Sequence, residues 1–134
     1  MRKAILRDCV RMAKEKNRPD VHPEWGNFHH YSFIIQNNKI IEMGTNRDIH
    51  MGAMKHLGYS DVSKIHSEVD SYNKAKGHPD FNKGESFEIV NIRLNRKSEI
   101  RLSKPCSCCF NFLSSLGAKS CYFTTDIGFA KISF

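Results

Sequence analysis

Two clusters of metal-binding side chains stand 40 residues apart, His66 with Glu68 and, from position 106, Cys106 with Cys109. Cys106 and Cys109 are three residues apart, so one turn of helix presents both sulfurs to the same point. Five cysteines are an odd number, and three of them crowd into Cys106, Cys108 and Cys109. The N-terminal run Met1-Arg2-Lys3-Ala4-Ile5-Leu6-Arg7-Asp8 carries charges where a signal peptide needs an apolar stretch. In an intracellular chain, crowded cysteines point to metal ligation before disulfides. Thiolate and imidazole suit Zn²⁺, and a site with three protein ligands keeps a fourth position open for water. His66, Cys106 and Cys109 form such a set, one ion per chain.

Glu68 lies two residues past the first ligand, close enough to serve the metal's water without binding the metal. A carboxylate there can take a proton from that water and deliver it to another atom. Pro105 precedes Cys106 at an expected strand-to-helix junction, and a helix N-terminus lowers thiol pKa. Two other readings compete. Cys106-x-x-Cys109 alone fits a redox pair, but His66-x-Glu68 upstream argues against it. A closed structural zinc site needs a fourth ligand, and the nearest candidate, Cys108, points about 100–200° away around a helix. Cys9 and Cys121 lie in apolar patterns and read as core.

The rest of the chain supplies a scaffold for these clusters. Ile5, Cys9, Met12 and Ala13 recur at spacings of three and four, predicting a helix over Arg2–Lys16. His30–Ile35 and Lys39–Met43 flank Gln36-Asn37-Asn38 and predict a hairpin. A polar loop spans Arg47–Lys64, followed by a helix over Ile65–Lys76 with Ser63 as its cap and Gly77 at its end. Phe87–Leu94 reads as a buried strand and Glu99–Leu102 as a second extended piece. A helix over Cys106–Leu116 stops at Gly117. Ser120–Thr125 and Phe129–Phe134 are joined only by Asp126-Ile127-Gly128, too short for a parallel crossover, so they pair antiparallel. The sum is an α/β fold, a three-layer α/β/α sandwich around a five-stranded mixed sheet, in one domain over 1–134.

His66-Ser67-Glu68 followed by Pro105-Cys106-x-x-Cys109, with Gly44-Thr45-Asn46 ahead of both, resembles the cytidine deaminase-like superfamily. The likeness runs from about Phe28 to the C-terminus. It implies hydrolytic removal of an exocyclic amine from cytosine, adenine or a related base, with His66, Cys106 and Cys109 as zinc ligands and Glu68 as the proton shuttle. It also implies substrate contacts from Asn46 and from the backbone of Ser67. Ser67 stands where the family usually has alanine, and an apparent extra hairpin over Leu94–Leu102 lengthens the gap between the zinc motifs. The short link before the last strand resembles the free-nucleoside branch, whereas His66 replaces the cysteine common there.

The expected activity is conversion of a cytosine moiety, in a nucleoside or nucleotide, to uracil. Single-stranded nucleic acid is the alternative substrate. It is favoured by 21 Lys and Arg against 14 Asp and Glu, a net charge of +7, by Arg47, Lys64 and Lys104, and by the Trp25-Gly26-Asn27-Phe28 loop. A non-catalytic, zinc-containing nucleic-acid-binding module is a further alternative, and the presence of Glu68 weighs against it. His29 or His30 is a candidate for the pocket mouth, and Trp25, Phe28 and Tyr122 for base stacking. A 40% hydrophobic and 26% charged composition excludes wholesale disorder. No apolar run of about 18 residues suggests a membrane span. A cytoplasmic homo-oligomer, dimer or tetramer, is expected.

Overall fold

The structure, a computed structural model, describes residues 2–18, 28–50 and 64–134. Ser63 and the Trp25–Asn27 part of the expected stacking loop lie outside the described residues. Helix α1 (Lys3–Lys16) starts one residue after Arg2 and buries Ile5, Cys9 and Ala13. Strands β1 (Phe28–Gln36) and β2 (Lys39–Thr45) form the expected hairpin. Its two turn residues, Asn37 and Asn38, have φ of 53° and 57°, the left-handed pair that matches the twist of a two-residue hairpin.

The next stretch differs from expectation. Arg47–His50 (β3) and Lys64–Ile65 (β4) pair antiparallel as a small ribbon. Helix α2 therefore covers only Ser67–Ala75, with His66 at its N-cap. Because the backbone of Lys64 and Ile65 is engaged in the ribbon, the helix begins two residues later than the apolar pattern suggests.

Strands β5 (Phe87–Asn95), β6 (Ile100–Arg101), β7 (Ala118–Thr125) and β8 (Gly128–Ser133) complete the sheet, with helix α3 (Ser107–Ser115) between β6 and β7. The strand order is β2-β1-β5-β7-β8. Only β5 and β7 run parallel, and β7 and β8 pair antiparallel as their short link requires. The two-residue β6 adds to β5 at Arg93 and Leu94, the observed form of the extra hairpin. Gly117, with φ of 90°, ends α3.

Alternation along the strands divides the core. Tyr31, Phe33, Ile35, Val90, Ile92 and Leu94 pack against α1. Ile34, Ile89, Cys121 and Phe123 face the other way, toward Ala75 of α2 and Leu113 of α3. One helix covers one face and two cover the other, which is the three-layer sandwich. Cys9 and Cys121 are core residues. Tyr122 packs on the α1 side, away from the His66 face, with Lys131 Nζ 5.4 Å from its ring centre. Among the described residues, no helix is long and apolar enough to cross a membrane.

Candidate active site

The two helices on the second face bring the two sequence clusters together. His66 caps α2 and Cys106 caps α3, so both stand at helix N-termini. His66 Nδ1 lies 3.7 Å from Cys106 Sγ and 3.4 Å from Cys109 Sγ. All three potential ligand atoms lie within 4.8 Å of one another, and they are the one such group among the described residues. Zinc about 2.0–2.1 Å from nitrogen and about 2.3 Å from sulfur, at tetrahedral angles, separates the two donors by about 3.6 Å. The observed separations bracket that value, so the donor set fits a zinc ion. Cys108 is outside the group; it is half-buried and packs beside Val69 and Cys109.

The electrostatics suit a cation. The Cys106 thiol is brought down to about 4, first by the hydrogen bond with the Cys109 thiol and then by His66. The backbone N–H of Cys109 also donates to Cys106 Sγ, at 3.4 Å, as expected for a helix cap. His66 is raised above its ordinary value, chiefly by its hydrogen bond with Cys106.

Glu68 sits in the first turn of α2 and is only 7% exposed. Ser67 Oγ lies 3.1 Å from Glu68 Oε1, and Asn91 Nδ2 donates to Oε2 at 3.1 Å. Ser32 Oγ lies 2.7 Å from Ser67 Oγ and donates to Asn91 Oδ1 at 2.7 Å. Asn91 Nδ2 also faces the Ser103 carbonyl at 3.4 Å, which fixes the amide's orientation. Ser67 Oγ donates to Oε1 and Ser32 Oγ to Asn91 Oδ1, so every polar atom of the set has a partner. Burial pushes Glu68 above the ordinary carboxylate range.

Sequence reasoning missed Ser32, Asn91 and Ser103. The available signal was a lone polar residue inside an otherwise apolar strand, Ser32 before Phe33-Ile34-Ile35 and Asn91 between Val90 and Ile92.

The Gly44-Thr45-Asn46 segment positions α2. A Cβ at Gly44 would stand 2.2 Å from Ser71 N and 2.6 Å from Ser71 Cα, so only glycine admits the helix at this distance. The N–H of Thr45 donates to Asp70 Oδ2 at 3.0 Å. Asn46 Oδ1 accepts the His30 N–H at 2.9 Å, and its own N–H donates to the His30 carbonyl at 3.2 Å. Asn46 is thus fixed beside the strand position that adjoins Ser32.

The two adjacent histidines part company. His29 is buried on the α1 side against Tyr31. His30, paired with Arg93, lies on the same face as Ser32. Its pKa is lowered to about 4, by burial first and then by Arg93 and His66.

Two solved structures share this architecture. A dCMP deaminase from the cyanophage S-TIM5, in apo form, matches with a TM-score of 0.58 at 14% identity, over 93% of this chain and 86% of that one. A cytidine deaminase from Mycobacterium leprae matches with a TM-score of 0.52 at 13% identity, over 88% and 87%. The chain has the cytidine deaminase-like fold. At the level of sequence, neither a family model nor a curated protein matches it. The order of strands and helices that this fold uses is therefore kept here by a sequence far removed from both structures.

Proposed function

We propose that this protein is a zinc-dependent hydrolytic deaminase that converts a cytosine moiety, in a nucleoside or nucleotide, to uracil with release of ammonia. The observation that carries the reading is the convergence of His66, Cys106 and Cys109 at zinc-ligand separations, with the buried carboxyl of Glu68 two residues from the first ligand. Those three side chains would hold zinc, which would supply a Lewis acid that makes water acidic near neutral pH.

Glu68 takes one proton from the attacking water and places it on ring N3, then takes that water's second proton from the new C4 hydroxyl and delivers it to the amine, which leaves as ammonia while C4 becomes a carbonyl. Its buried setting favours the proton-carrying form between these transfers. Asn46, oriented by His30, is the substrate contact at the mouth, and the Ser67 backbone meets the base.

Single-stranded nucleic acid is the second substrate class, favoured by the net charge of +7. Polynucleotide binding predicts affinity that falls steeply with salt, whereas turnover of free cytidine is nearly salt-independent. A non-catalytic zinc module is disfavoured by a carboxyl group with a hydrogen-bond partner at each oxygen.

The test is ammonia release by the zinc-loaded protein from cytidine, deoxycytidine, dCMP, adenosine, guanine and single-stranded oligonucleotides. A cytosine nucleoside or nucleotide should be converted, and Glu68→Ala should retain zinc while losing at least about a hundredfold in rate. No ammonia from any of these substrates, or full activity in Glu68→Ala, contradicts the proposal.

A further inference from the structure

We propose that Ser67, Ser32 and Asn91 are positioning residues that fix the carboxyl group of Glu68 through a closed ring of side-chain hydrogen bonds. The inference rests on the deaminase reading for its catalytic meaning. The ring runs from Glu68 Oε1 to Ser67, from Ser67 to Ser32, from Ser32 to Asn91, and from Asn91 back to Glu68 Oε2. Its members come from α2, β1 and β5, so it joins the helix bearing the shuttle to the two strands at the centre of the sheet. Ser32, Ser67 and Asn91 are all buried. Asn91 is braced in turn, because Ser103 Oγ donates to its carbonyl at 2.8 Å and lies 2.7 Å from Thr124 Oγ1.

A sheet that only had to carry a helix would continue the apolar row of Ile34, Ile89 and Phe123 on this face. Buried polar groups cost stability unless all are satisfied, and apolar replacements of similar shape hold a fold at least as well. This ring is satisfied, and it converges on a single carboxyl group. Both oxygens of Glu68 are engaged, which restricts its terminal torsion and holds one geometry while a proton is taken and passed on.

The experiment compares the parent protein with Ser67→Ala, Ser32→Ala and Asn91→Asp. It measures kcat, KM and zinc per chain, and, in metal-free ¹⁵N-labelled parent and Ser67→Ala proteins, solvent exchange of the Asn91 side-chain amide. Ser67→Ala removes one oxygen and keeps Cβ as a methyl group, so it serves if Asn91→Asp fails to fold. In Ser67→Ala, kcat should fall about ten- to a hundredfold with KM within about twofold and zinc unchanged. Ser32→Ala should move kcat in the same direction, and the Asn91 amide should exchange at least about tenfold faster once Ser67 is removed.

A kcat within about threefold of the parent in Ser67→Ala, or a fall that comes with zinc loss or an equal rise in KM, overturns the proposal. If the parent turns over none of the substrates, the deaminase reading fails by itself. Amide exchange then decides the ring: unchanged exchange in Ser67→Ala refutes it.

Discussion

Cys106 shows how much one side chain's setting departs from its sequence label. It is exposed at the start of α3, yet Cys109 and His66 hold its thiol down to about 4. The buried Cys9 is pushed up to about 12, and burial also raises Cys121. In metal-free protein treated with iodoacetamide at about pH 6, Cys106 should be modified first, and zinc should protect it. Peptide mass mapping reads the order; equal labelling of all five cysteines would contradict the assignment. The pairing of Cys106 with Cys109 was legible because it follows from helix geometry, whereas their grouping with His66 and Glu68 came from the motif resemblance. Ser32 and Asn91 were not legible, because a polar residue in a strand is ordinarily assigned to the solvent face, and only the packed helix reveals what it faces.

At the scale of elements, the hairpin turn, the stop at Gly117 and the antiparallel β7–β8 pair were readable from local chemistry. The start of α2 was not. It depends on the ribbon between Arg47–His50 and Lys64–Ile65, a non-local pairing that no local pattern announces. Gly44 likewise carries no local sign of its role, which is to admit the backbone of Ser71 from the neighbouring helix. Gly44→Ala should push α2 off β2, destabilise the fold by about 1–3 kcal/mol, and lower activity by displacing Glu68. A thermal melt with parallel kinetics checks this. An unchanged melting temperature would mean that the helix yields without strain.

Across the whole molecule, topology and chemistry share one cause. The α1 layer on the first face leaves the second to α2 and α3, and the parallel β5–β7 crossover carries α3 to the side where α2 already lies. Both N-termini then meet on that face, so His66, Glu68, Cys106 and Cys109 come from two helices carried by one sheet. The sandwich was legible from the alternation of elements and the shortness of one link, and the β5–β6 pair from the turn at Asn95–Ser98 between two extended runs.

The proposed zinc centre shared by those helices is tested most directly by zinc K-edge absorption of the purified protein. The proposal predicts one zinc per chain with two sulfur neighbours at about 2.3 Å and lighter nitrogen or oxygen neighbours at about 2.0–2.1 Å. Four sulfur neighbours, or a folded protein that takes up no stoichiometric zinc, would contradict it.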